Sequence, residues 1–85
     1  MSSAENIYAK MHRTKNGYGY RDFETLYLGY GFRKKEGGDH TLYFHELLRR
    51  PMSVPRHNEL PIGYVRAAVK AIDDILRGNE AIRED

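Results

Sequence analysis

Gly37-Gly38-Asp39-His40 runs directly into the apolar stretch Leu42-Tyr43-Phe44. Two glycines and an aspartate make a turn, and the residues after them read as a strand. His40 is thus the first position out of a turn, held by rigid structure on one side and open on the other. An imidazole takes or gives a proton near neutral pH, which is what general acid–base catalysis needs. Basic residues flank it in the chain: Arg33-Lys34-Lys35 before the turn, Arg49-Arg50 and Arg56-His57 after the run. Such cations hold phosphate oxygens, arginine in bidentate fashion. Arg33, Lys34 and Lys35 fall on the strand expected to pair with the His40 strand, so one or two of them reach the same phosphate. Arg56 and His57 are further candidates from the end of a third strand, and Gly38 and Asp39, in the turn itself, complete the set of candidate ligand contacts. The plainer alternative is that His40 only closes the turn through a backbone hydrogen bond.

The four histidines do not suggest a metal. His40 and His45 are five apart, which on a strand puts them on opposite faces. Neighbouring Asp39 and Glu46 add no recognisable ligand set. No nucleotide-binding glycine fingerprint follows Gly37-Gly38, so a hairpin explains those glycines better, and no Ser-His-Asp or Cys-His grouping is visible. No cofactor is expected. His45 reads as a structural residue or a ligand contact, and His12 has no evident partner.

The elements that position these residues follow from apolar spacing. Ala4, Ile7, Tyr8 and Met11 repeat at helical intervals after Ser2, and Ser2-x-x-Glu5 has the form of a capping box. Phe23, Leu26, Tyr27 and Tyr30 make a second stripe, with Asp22 at the positive end of the helix dipole and Gly29 or Gly31 to stop it. The third stripe is Val65, Ala68, Val69, Ile72, Ile75 and Leu76, with Arg77 in the last turn and Gly78 as the expected stop. Between the second and third helices, residues 32–36 and 40–45 predict a β-hairpin. Residues 52–54, flanked by Pro51 and Pro55, predict a third strand that is either short or at an edge. The order α-α-β-β-β-α, with helices on one face of an antiparallel sheet, predicts an α+β domain.

A chain of 85 residues has room for one small core. We divide it into an N-terminal helix and linker (1–19), a core (20–78) and a C-terminal tail (79–85). With no cysteine, disulfides and thiolate metal sites are excluded, in keeping with a reducing compartment. No run approaches a membrane span, and MSSAENIYAK lacks the apolar centre of a secretory leader, so a cytoplasmic protein is expected. The net charge of +2 conceals an asymmetry: residues 10–56 carry ten Lys/Arg against five Asp/Glu, and residues 57–85 carry four against six. A one-sided basic surface suits a polyanionic partner. The chain also holds seven tyrosines, of which Tyr18 and Tyr20 have no evident core role and would suit a protein interface.

Together, Gly31-Phe32, Gly38-Asp39-His40, Tyr43, His45, Val54-Pro55-Arg56-His57 and Gly63-Tyr64-Val65 resemble the pattern of the HicA family of small bacterial toxins. The likeness extends over about residues 20–77, and it is the order and spacing of these weak motifs that give it weight. It implies a fold similar to double-stranded RNA-binding domains and a metal-independent endoribonuclease that cuts messenger RNA until a HicB-type antitoxin masks it. The family's catalytic histidine falls on His40. One departure is Asp39, where the family usually has serine; its negative charge repels phosphate.

The chemistry is self-consistent. The 2′-hydroxyl of RNA is a built-in nucleophile for the adjacent phosphorus, so the protein has only to move protons and stabilise the crowded phosphorane. A positioned histidine contributes about 10²–10⁴-fold to such proton transfer. Two other readings remain open at this point: a module that holds RNA without cutting it, and a tyrosine-rich docking domain.

Overall fold

Every element expected from the sequence forms, in the order α-α-β-β-β-α. The computed structural model describes residues 3–84, with side-chain surroundings through residue 78. Ser2, and with it the expected capping box, lies outside the described residues. Helix α1 spans Ser3–Arg13, α2 spans Tyr20–Gly29 and α3 spans Ile62–Glu84; strands β1, β2 and β3 are Arg33–Glu36, His40–Phe44 and Met52–Pro55.

The ends of α2 show why the chain turns where it does. At its start the Gly19 N–H donates to the Asp22 carboxylate at 2.9 Å, so an orphan donor is satisfied by the charge the dipole favours. At its finish the Phe32 N–H donates to the Tyr27 carbonyl at 3.0 Å and the Gly31 N–H to that of Leu28 at 3.2 Å. This is the Schellman pattern, which needs a left-handed residue between helix and exit. Gly31, at φ +90°, supplies it. The accompanying apolar contact is Phe32 against Tyr27, ring centroids 4.7 Å apart. The chain therefore leaves α2 already aimed into β1.

The three strands form one antiparallel sheet in the order β1-β2-β3, which leaves the proline-flanked β3 on an edge as expected. Registers are Lys34 opposite Tyr43, and Thr41 opposite Val54. Thr41, Tyr43 and Val54 are buried beneath the helices, and Tyr43 stacks on Tyr27 of α2 at 4.8 Å. By alternation, His40, Leu42 and Phe44 face the other, open side. The helices thus cover one face of the sheet.

Two expectations change. Helix α3 does not stop at Gly78 but continues to Glu84. Glycine inside a helix costs only about 1 kcal/mol relative to alanine, and residues 79–84 contain no proline to end the ladder. Tyr18, read as a surface aromatic, is 2% exposed and belongs to the core. Its hydroxyl donates to the Thr14 carbonyl at 2.9 Å, which settles the phenol's polar end inside the fold.

Helix α1 is likewise part of this core rather than an appendage, since Met11 is fully buried among Phe23, Leu26 and Ile72. A methyl group built on Gly29 would overlap the Ala4 side chain, so α1 and α2 touch nearly backbone to backbone. The Tyr8 hydroxyl donates to the Asp73 carboxylate, which ties α1 to α3.

Burial, and then this hydrogen bond, push the Tyr8 phenol up to about 12. Burial, reinforced by the Glu24 charge, does the same to Tyr43. A raised folded value means the protonated phenol is favoured by folding. Its contribution is complete below the ordinary tyrosine value near 10 and is lost as the pH rises through 12. Urea midpoints are therefore expected to hold up to about pH 10 and fall between 10 and 12, and Tyr8→Phe flattens that fall. Absorbance titration of the phenolates checks the same window.

Candidate active site

The turn that carries His40 is a tight one. The Gly37 N–H donates to the His40 carbonyl at 2.9 Å, one pair beyond Glu36–Thr41 in the β1–β2 ladder. Neither Gly37 nor Gly38 is held in the left-handed region. A methyl group on Gly38 would meet nothing within 4 Å, so the space beside the turn is open.

Arg56 braces this turn from the end of β3. Its backbone N–H donates to the Asp39 carbonyl at 3.1 Å, and its guanidinium donates to the Gly38 carbonyl at 3.3 Å. The same guanidinium pairs with the Glu36 carboxylate at 3.2 Å and approaches the hydroxyl of buried Thr41 at 3.5 Å. A planar donor with several directed bonds is a stiff strut. The backbone behind His40 is fixed from two strands at once.

His57 is fixed from another direction. Its N–H donates to the Pro55 carbonyl at 3.0 Å, and its own carbonyl accepts the Tyr20 N–H at 3.0 Å. Three residues on, the Leu60 N–H donates to the Tyr18 carbonyl at 2.8 Å. The 57–60 segment is thus laced to residues 18–20, just ahead of α2. Gly19 permits this approach, because a side chain there would overlap the Asn58 carbonyl. Forcing a methyl group into such a contact costs about 1–3 kcal/mol. Gly19→Ala is expected to lose that much stability in urea. In the same variant the imidazole resonances of His57 shift while those of His45 stay in place.

These supports converge on one cleft of about 520 Å³, lined by Gly38, Asp39, His40, Pro55, Arg56, His57 and Tyr64. Its volume is in the range of small-ligand sites. Five of the residues anticipated from the sequence meet there: His40, Gly38, Asp39, Arg56 and His57. Tyr64, in the first turn of α3, completes the wall and was not anticipated. Apolar periodicity marks its neighbours Val65 and Ala68 as core but says nothing of a half-buried tyrosine between stripe and solvent.

The basic strand does not act as a unit. Alternation sends Arg33 and Lys35 to the open face and Lys34 to the helix side. There Lys34 pairs with Glu24 at 2.5 Å and Glu36 at 3.1 Å. Those hydrogen bonds raise the Lys34 ammonium, and Lys34 in turn holds the Glu36 carboxyl below its ordinary range. Lys35 lines a shallower groove on the open face with Gly38, Asp39, His40 and Leu42. Arg33 stands at the far end of β1, opposite Phe44. Of the three cations, Lys35 alone shares a surface depression with His40.

His45 has a structural position. Its Nδ1 accepts the Leu47 N–H at 3.1 Å, and its ring lies 5.0 Å from that of Phe32. His12, left without a partner by the sequence, sits 3.5 Å from Asp73 and against the edge of Tyr8. Among the described residues no helix is long and apolar enough to cross a membrane. The chain matches no protein-family model, no curated protein and no solved structure.

Proposed function

We propose that this chain is a metal-independent endoribonuclease that cuts messenger RNA, acting as the toxin of a type II toxin–antitoxin pair. The observation that carries the reading is the meeting of exposed His40 with Arg56, His57 and Tyr64 in one cleft. The RNA 2′-hydroxyl attacks the adjacent phosphorus while His40 moves a proton as general acid or base. Arg56 holds the turn and directs positive charge towards a phosphate in front of it, and the tyrosine offers a face for a base to stack on. Lys35, on the neighbouring open face, tracks the backbone beyond the scissile bond. The α-α-β-β-β-α order and the one-sided helical layer agree with a fold similar to double-stranded RNA-binding domains. A HicB-type antitoxin is the protein partner this reading implies, covering His40 and meeting Lys35 and Arg33 with carboxylates.

A second reading, an RNA-binding module without catalysis, is favoured by one specific feature. Asp39 lines the same cleft, and a carboxylate there repels phosphate. One experiment separates the two. Purified protein is incubated in EDTA with a long RNA and with the same RNA carrying 2′-O-methyl groups at the mapped cut. Cleavage of the first alone, leaving a cyclic 2′,3′-phosphate and a 5′-hydroxyl, supports the ribonuclease. Tight binding with neither RNA cut supports the module, and absence of binding rejects both.

A further inference from the structure

The ribonuclease reading leaves half of its proton chemistry unassigned. Cleavage moves two protons, one off the 2′-hydroxyl and one onto the departing 5′-oxygen, and these lie on opposite sides of phosphorus. We propose that His40 and His57 divide these two transfers between them, so that His57 is a second catalytic residue rather than a surface contact.

Position is the first argument. His40 lies directly across the ladder from Pro55, and His57 comes two residues after Pro55. The two Cα atoms are then separated by about 13 Å at most, taking two extended residues plus one cross-strand step. Both residues line the same cleft. Two histidines lining one cavity at this spacing leave room for a phosphodiester between them.

Rigidity is the second. General acid–base catalysis rewards groups held in place before the substrate arrives. The His57 backbone is hydrogen-bonded on both its N–H and its C=O, and the following segment is pinned through Leu60 to Tyr18. An ordinary surface histidine on a loop has no need of such anchoring. Two of the cleft's other groups serve less well as the acid. An arginine keeps its protons throughout the working range, and Arg56 has its donors directed at Glu36, Gly38 and Thr41. Asp39 as a carboxylate has no proton to give.

The step balances without a co-reactant. The 2′-oxygen bonds to phosphorus as its proton passes to the neutral imidazole. The bond from phosphorus to the 5′-oxygen breaks as the imidazolium gives its proton to that oxygen. The products are a cyclic 2′,3′-phosphate and a 5′-hydroxyl, and proton exchange with water restores both histidines.

This inference rests on the ribonuclease reading, and the test keeps the two apart. Two short RNAs spanning the mapped cut are compared, one natural and one with sulfur replacing the leaving 5′-oxygen. A thiolate departs without a proton, so the second RNA has no need of the acid. His40→Ala and His57→Ala are each expected to slow cleavage of natural RNA by about 10²–10⁴-fold. On the sulfur substrate, one of the two variants recovers to near the wild-type rate and the other does not. His57→Gln, which keeps the bulk of the side chain, behaves as His57→Ala does. Near-wild-type cleavage of natural RNA by both His57 variants overturns the assignment. So does a defect that the sulfur leaves unchanged in both His40→Ala and His57→Ala. If the wild type cuts neither RNA, the ribonuclease reading itself falls, and the pair with it.

Discussion

His40→Ala is expected to fold as the wild type does, to bind RNA as tightly, and to lose cleavage by about 10²–10⁴-fold. The fold survives because the side chain lies exposed on the open face, while its neighbours Thr41 and Tyr43 carry the burial. The backbone bond from the Gly37 N–H to the His40 carbonyl does not depend on the side chain. Surface substitutions of this kind stay within about 0.5 kcal/mol. A urea midpoint within that margin, with retained binding to 2′-O-methyl RNA, isolates the chemical step. If cleavage persists at the wild-type rate, the proposed active site is in the wrong place. If binding and cleavage fall together, His40 is a contact and not a proton carrier.

Phe23→Ala has the opposite character. Phe23 is 0% exposed and lies within the cluster that joins α1, α2, the sheet and α3. Deleting a buried phenyl ring loses its transfer free energy and leaves a cavity, at a cost of about 3–5 kcal/mol. A small domain has about 5–15 kcal/mol in total, so this one change removes a third or more of a middling value. At roughly 4–8 °C per kcal/mol for a chain of this size, the melting point falls by tens of degrees. Leu28→Ala on the same helix is the contrast, because Leu28 is 42% exposed. It is expected to move the midpoint by no more than about 0.5 kcal/mol. Equal effects from the two would mean that Phe23 does not occupy the core.

The sequence made the elements legible because each rests on local chemistry. Helical stripes, the glycine exit from α2 and prolines flanking β3 are all signals carried within a few residues. The face on which His40 stands was not legible. Leu42 and Phe44 are as apolar as Tyr43, so alternation alone allowed either side of the strand to be buried. The structure buries Thr41 and Tyr43, with the Thr41 hydroxyl met by Arg56 and the Tyr43 ring by Tyr27. Both partners are distant in the chain, and no period reports them. Tyr18 was misread for the same reason, since residues 57–60 provide one side of its surroundings. The extension of α3 past Gly78 was missed because a single glycine is a weak stop when good helix formers follow it.

The lacing of residues 18–20 to residues 57–60 also has a consequence for the order in which the molecule comes into being. It closes a loop of about forty residues, and contacts of such span must overcome the entropy of bringing distant ends together. A chain emerging from a ribosome exposes His40 and its hairpin well before Leu60 is free to reach Tyr18. Until then one wall of the cleft has nothing to lean on. Synthesis therefore delivers the parts of the site in sequence and assembles them only once Leu60 has emerged, so that a shorter nascent chain carries the histidine but not the cleft.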